Sequence, residues 1–269
     1  MRLGDYPRHL RSIRMNPRQA EQASAERPTA TVFESFDGWA QLLRQTEAQP
    51  PAPSQQPEVA GPPEATAFRP VVRRQMAILH IIDDGRDDGE TVRIRGDGVS
   101  IGRSDGEILI PHDISMAPMH ARIDRLPEGG WLLTDLDSGN DRGTFVRVLT
   151  AKLRHGSVFQ VGMTRLRFDL GNPAAPRLIE LSAEGIAREL DCPAPHSTIG
   201  RAGCGARITI DDAFVSPLHA ELHQTPTGWK IENRGLNGLW VRIDAPIKLG
   251  GPSQFQCGEQ RFVFVPLAD

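Results

Sequence analysis

The stretch DDAFVSPLHAELH, residues 211–223, repeats the pattern of PHDISMAPMHARID at 111–124. In each, an Asp is followed seven positions later by a His, Asp212 to His219 and Asp113 to His120, and the His opens a run in which apolar and polar residues alternate. Alternation with period two marks a half-buried strand, so each stretch reads as a loop feeding a strand. The two align without a gap. Three residues before the His, one carries Ser216 and the other Ala117.

Working outward, the texture from Met76 onward is one of short alternating strands separated by Gly, Asp and Pro turns: MAILHII, TVRIRG, EILIPHD, HARIDRL, WLLTDL, TFVRV and RLRFDL. After the breaker GNPAAP (171–176) the series starts again with RLIEL, RITIDD, HAELHQ, WKIEN, LWVRI and RFVFVPL. Regularly spaced short strands indicate an all-β sandwich or barrel. Gly102-Arg103 returns as Gly200-Arg201, His120 as His219 and Trp131 as Trp229, at offsets of 98, 99 and 98. A period this long is a tandem domain duplication, with one domain expected over 75–171 and a second over 177–269.

Residues 1–74 differ. QTEAQPPAPSQQPEVAGPPEA is rich in Pro, Gln, Ala and Glu and cannot bury enough apolar surface to order itself, so the tail is expected to be largely disordered. Within it, TVFESFDGWAQLLRQ (31–45) carries Phe36, Trp39, Leu42 and Leu43 at helical spacing, which suggests a short helix over 33–45 that docks on a surface; a transient helix without function explains the spacing equally well.

A net charge of −3 argues against a general polyanion binder, and with few aromatics for stacking no nucleic-acid partner is expected. The three cysteines, Cys192, Cys204 and Cys257, lack CxxC or Cys/His ligand spacing; reduced thiols are expected and neither a metal site nor any cofactor. The acid pairs in DDGRDDGE (83–90) read as solvated turn residues, with calcium binding only weakly signalled. No run of about 18 apolar residues occurs, so a soluble, cytoplasmic protein away from membranes is expected. The chain has no G-x-S-x-G, Walker loop or HExxH, and no enzymatic activity is expected.

Gly200, Arg201, Asp212, Ser216, His219, Trp229, Asn237 and Gly238 stand in one order and spacing that resembles the forkhead-associated (FHA) family, and the ending QFQCGEQRFVF (254–264) is similar to that family's closing hairpin. Across both repeats the resemblance covers nearly everything after the tail. It implies two FHA-like 11-stranded β-sandwiches in tandem, binding phosphothreonine peptides through loops at one end. Arg201 would supply a planar, permanently charged fork for the phosphate, and Ser216 a hydroxyl donor. Asn237 would grip the peptide backbone with its amide, flanked by Gly238 as Gly200 flanks Arg201. His219 would support the Ser216 loop from behind. Taken alone, VSP and Asn-Gly are also ordinary turn sequences.

The first repeat keeps Arg103 and His120 but departs from the pattern three times. Ala117 has no hydroxyl. SGNDRGTFV (138–146) inserts Asp141-Arg142 between Asn140 and Gly143. Asp105 and Glu107 follow Arg103 closely and would oppose a phosphate. A degenerate site of Arg103, His120, Asn140 and Arg142 is therefore expected there, with Arg142 able to restore a basic contact. The resemblance implies an adaptor of bacterial type in Ser/Thr-kinase signalling whose partner is a phosphothreonine protein. The alternative is a scaffold indifferent to phosphorylation. Thr29 and Thr31 in the tail are the acceptors through which the chain would supply its own intramolecular ligand.

Overall fold

The computed structural model describes residues 32–33, 76–82, 89–136, 143–173, 175–182, 185–193 and 195–267. All the described residues belong to one compact unit. Among the described residues all regular structure is β, and no helix there is long and apolar enough to cross a membrane.

In the first repeat the strands are β2 (Ala77–Ile82), β3 (Thr91–Ile94), β4 (Gly98–Gly102), β5 (Ile108–Leu109), β6 (Ala121–Arg125), β7 (Trp131–Asp135), β8 (Thr144–Leu153), β9 (Val158–Val161) and β10 (Thr164–Asp169). In the second they are β11 (Arg177–Ser182), β12 (Gly185–Asp191), β13 (His196–Arg201), β14 (Ile208–Ile210), β15 (Ala220–Thr225), β16 (Gly228–Asn233), β17 (Leu239–Arg242), β18 (Ile247–Leu249), β19 (Ser253–Cys257) and β20 (Gln260–Pro266). A further two-residue strand from the tail, β1 (Val32–Phe33), pairs with Thr150 and Val148 of β8. The helix expected over 33–45 thus meets a strand at Phe33, and its remaining residues lie outside the described ones, as do Thr29 and Thr31.

The alternation in sequence becomes alternation in burial. In β2, Ala77, Leu79 and Ile81 point into the core while Ile78, His80 and Ile82 are half-buried, and Ile123 and Leu133 do the same in β6 and β7. The strand pairing, however, does not respect the repeat boundary. One continuous sheet runs β3-β2-β20-β19-β8-β17-β9-β10-β11-β12. Against its first half packs the sheet β5-β4-β6-β7-β18. Against its second half packs β14-β13-β15-β16, completed by the far end of β8.

Each sandwich is therefore closed by strands of the other repeat. The first consists of residues 77–146 together with 247–266, and the second runs from 150 to 242, with the linker at 171–176 lying between its adjacent strands β10 and β11. The sequence repeats at 75–171 and 177–269 are not the units that pack. The core tryptophans follow the exchange: Trp131 meets Phe264 edge-on at 5.4 Å, and Trp229 meets Phe168 at 5.6 Å, each Trp reaching a Phe of the opposite repeat.

Two features explain how this is possible. The first is β8. TFVRVLTAKL has no turn residue, so the chain runs straight from the first sandwich into the second, whereas the second repeat breaks between Arg242 and Ile247 at Asp244-Ala245-Pro246. The second is that the two closing hairpins carry the same turn. Gly162 and Gly258 both adopt φ of 61°, and a Cβ on either would strike an Asp carboxylate, Asp212 for Gly162 and Asp113 for Gly258. Asp212 Oδ2 accepts the Met163 N–H at 2.6 Å and the Thr164 hydroxyl at 3.1 Å. Asp113 Oδ2 accepts the N–H groups of Glu259 at 2.8 Å and Gln260 at 3.2 Å.

Replacing Asp113 by Ala removes the acceptor of three backbone N–H groups, Ser115 in its own loop and Glu259 and Gln260 in the hairpin, at about 1–3 kcal/mol for each that is left buried and unpaired. Hydrogen exchange should accelerate at Glu259 and Gln260 and leave Met163 protected; acceleration at Met163 and Thr164 instead would mean that each repeat closes on its own hairpin.

Candidate functional site

The residues singled out in the second repeat converge at one end of its sandwich, around the loop between β14 and β15. Asp212 Oδ1 accepts the Phe214 N–H at 2.8 Å, which starts the turn, and the Val215 N–H donates to the Asp212 carbonyl. The loop then crosses the end of β13. The Arg201 N–H donates to the Ser216 carbonyl at 3.0 Å. A Cβ on Gly200 would lie 2.0 Å from the Pro217 carbonyl oxygen, so this crossing requires glycine. The Arg201 side chain is exposed.

His219 is fully buried beneath the loop. Its Nδ1 accepts the Ser216 N–H at 3.0 Å, which fixes the neutral ring with its proton on Nε2, and Nε2–H donates to the Gly238 carbonyl at 3.0 Å. Burial pushes its pKa below the ordinary 6.5, only partly offset by the Gly238 carbonyl and the Asp212 charge. Gly235 packs on the ring so closely that a Cβ would sit 2.6 Å from Cγ. His219 thus ties the Ser216 backbone to the Gly238 carbonyl.

The turn that presents Asn237 is held by side chains at three successive carbonyls. Arg147 Nη2 donates to Leu236 O at 3.3 Å, Trp240 Nε1 to Asn237 O at 3.1 Å, and His219 to Gly238 O. Its other contacts tie it to the loop: the Leu236 N–H donates to Ser216 Oγ at 3.2 Å, and Asn237 Nδ2 donates to Phe214 O at 2.7 Å. Arg201, Ser216 and Asn237 are thus linked through one hydrogen-bonded frame. Phe214, Leu218 and Leu236 stand exposed around it, Leu236 almost completely at 91%.

Arg147 belongs to the first repeat and reaches this turn because β8 and β17 pair, Trp240 opposite Arg147. Its guanidinium also donates to Gln254 at 3.1 Å, and its Nε lies 2.3 Å from where a Cβ on Gly238 would be. Gly238 therefore admits the arginine. Reasoning from sequence missed Arg147, Gly235 and Trp240. For Arg147 no signal existed, because its importance comes from a pairing between repeats.

In the first repeat the bonds that hold the corresponding loop recur. The Arg103 N–H donates to Ala117 O at 2.9 Å, the Ala117 N–H donates to His120 Nδ1 at 3.1 Å, and Gly102 abuts the Pro118 carbonyl. The side-chain donors differ. Ala117 replaces the hydroxyl, and Phe145 stands where the second repeat has Trp240, so no indole N–H is available. Glu107, expected to oppose a phosphate beside Arg103, is instead engaged by Ser100, whose N–H and hydroxyl both donate to its Oε2. Asn140 and Arg142 lie outside the described residues, as do the acidic residues Asp83, Asp84, Asp87 and Asp88.

The FHA domain family matches the chain in two segments, residues 99–162 and 197–255. No curated protein matches it. Among solved structures it is similar to the FHA domain of the CT664 protein from Chlamydia trachomatis, at 12% identity and a TM-score of 0.31, over 72% of this chain and 99% of that one. It is also similar to Mycobacterium tuberculosis EmbR, solved in complex with a low-affinity phosphopeptide, at 25% identity and a TM-score of 0.19, over 33% of this chain and 27% of that one. The FHA domain of an Arabidopsis thaliana hypothetical protein aligns at 17% identity and a TM-score of 0.20, over 44% of this chain and 92% of that one.

Two outcomes test the frame. Since the folded pKa of His219 lies below its unfolded value, the unfolded state binds the extra proton first, so this contribution to stability is complete above pH 6.5 and is lost as pH falls below it. Denaturant titrations between about pH 7.5 and pH 5.5 should show a flatter pH dependence for His219→Gln than for the wild type. Arg147→Ala should raise amide exchange at Leu236–Gly238 by up to about tenfold, from loss of one charged hydrogen bond of about 1.5 kcal/mol; unchanged exchange there would show that the arginine does not hold the turn.

Proposed function

Because the chain belongs to the forkhead-associated family, we propose that it is a reader of phosphothreonine peptides, an adaptor in Ser/Thr-kinase signalling that binds through Arg201, Ser216 and Asn237 of the second repeat. The observation that carries this reading is the shared frame: the Ser216 backbone is gripped by Arg201 on one side and His219 on the other, while its hydroxyl meets the turn that presents Asn237. A frame held by its own hydrogen bonds costs little entropy when a peptide docks. The exposed guanidinium of Arg201 suits a phosphate dianion, with Ser216 Oγ–H free to turn toward it while accepting from Leu236.

The energetics fit a reversible switch. A micromolar complex corresponds to about −8 kcal/mol, and hydrogen bonds to charged groups contribute about 1.5–3 kcal/mol each, so two or three account for much of the affinity. The first repeat, with Ala117 and Phe145 in place of Ser216 and Trp240, is proposed as the weak or non-phosphate module. Thr29 and Thr31 are retained as intramolecular acceptors; the neighbouring residues Val32 and Phe33 pair with the β8 residues Thr150 and Val148, and Val148 in turn pairs with Leu239, two residues beyond Asn237.

Calorimetry with a phosphothreonine peptide and its unphosphorylated form tests the reading. Arg201→Ala and Ser216→Ala should each weaken phosphopeptide binding by about tenfold or more, and Arg103→Ala should do much less. Equal losses from Arg103→Ala and Arg201→Ala would reverse the assignment of the repeats, and equal affinity for both peptides would favour a scaffold indifferent to phosphorylation.

A further inference from the structure

The outer face of the sheet that carries Arg201 holds a cluster that the peptide site does not use. His196 on β13 and His223 on β15 are directly opposed in the ladder, and their rings stack with centroids 4.7 Å apart. Glu221 lies two residues before His223 and so projects from the same face. One donor atom from each of the three residues lies within 4.8 Å of the others. His223 Nε2 is shielded from solvent, has no hydrogen-bond partner among the described residues, and lies 3.6 Å from the Glu221 carboxylate.

We propose that His196, Glu221 and His223 form a binding site for a divalent transition-metal ion of the zinc type. Two imidazole nitrogens and one carboxylate oxygen are the donor set that such ions take in preference to magnesium or calcium, which favour all-oxygen shells. Three protein ligands leave a fourth position for water. Zinc bonds to nitrogen and oxygen are about 2.0–2.2 Å long, so the donors need only side-chain rotations on a rigid two-strand ladder to converge. A metal would give His223 Nε2 the partner it lacks.

The surrounding charges permit this. Arg234 now holds Glu221 at 2.9 Å but bonds Glu232 at 2.9 Å as well, and Lys230 also bonds Glu232, at 2.6 Å. Glu221 can turn to a metal while Arg234 keeps Glu232, at the loss of one exposed ion pair of small worth. The consequence is mechanical. β13 ends at Arg201 and β15 starts after His219, so the ion would clasp the two strands that carry the peptide frame, at their opposite end. The inference does not depend on the peptide reading.

The test is titration of the full-length protein with Zn(II), followed by calorimetry and thermal unfolding, and with Co(II), followed by visible absorption. One equivalent should bind, raise the melting temperature, and give the intense d–d bands of a low-coordinate cobalt site. His196→Ala and His223→Ala should each weaken binding by at least about tenfold, with Glu221→Gln intermediate, while Cys204→Ala, which removes the exposed thiol, should bind as the wild type does. Both histidines lie on the outer face of the sheet, so unchanged melting in the presence of a chelator verifies the fold of the variants. Binding retained in the His196→Ala/His223→Ala double variant, or no binding by the wild type at micromolar metal, would overturn the proposal.

Discussion

The carboxylates of Asp113 and Asp212 each accept hydrogen bonds from a hairpin turn that belongs to the other repeat. A carboxylate at the edge of a core must be supplied with donors, and a tight turn with unpaired N–H groups supplies them. The same side chains have a second task. The other oxygen of Asp212 starts the loop that carries Ser216, and the other oxygen of Asp113 accepts the Ser115 N–H in the equivalent loop. One residue thus joins the closing hairpin of one repeat to the loop that precedes β15 or β6 in the other. The shape of the loop and the closure of the sandwich cannot be altered independently.

Much of this was legible in the sequence, and the rest was hidden for a definable reason. The strands announced themselves by period-two burial, and the duplication by the recurrence of Gly-Arg, His and Trp. What no pattern could reveal was the exchange. Gln160-Val161-Gly162 and Gln256-Cys257-Gly258 make the same turn, so either Asp would accept either hairpin, and local sequence is silent about which partner is taken. The deciding feature is the absence of a break in TFVRVLTAKL, which is conspicuous only once the break at Asp244-Ala245-Pro246 is known to matter. β12 escaped for another reason: nearly all of GIARELD is exposed, so no alternation betrays it.

The candidate site was legible where it depends on side chains within one repeat. Arg201, Ser216, His219 and Asn237, close together in one repeat, meet in one hydrogen-bonded frame. Arg147 was not legible, because it acts across the β8–β17 pairing, and the metal-ligand triad was not, because His196 and His223 become neighbours only through strand register. Spacing rules detect ligands that one helix or loop brings together; they do not see residues opposed across a sheet.

The exchange also bears on why the first repeat could lose its donors and stay. Its frame keeps the two bonds that hold the Ser216 loop, here from the Arg103 N–H to Ala117 O and from the Ala117 N–H to His120 Nδ1, yet the hydroxyl and the indole N–H are gone. Loss of a ligand-facing side chain such as the Ser216 counterpart leaves no buried group unpaired, so it costs the fold little. Loss of Asp113 or Trp131 would unseat the strands that the second repeat lends to the first sandwich, and loss of the turn at Gly162 those that the first repeat lends to the second. Strand exchange thus separates two kinds of constraint within one repeat: residues that hold the partner's strands are fixed by stability, while residues that face a peptide are fixed only by binding. On the proposed reading, the first repeat kept the former and shed the latter, and it still contributes to the second site through Arg147, whose hydrogen bond to Leu236 O steadies the turn that presents Asn237.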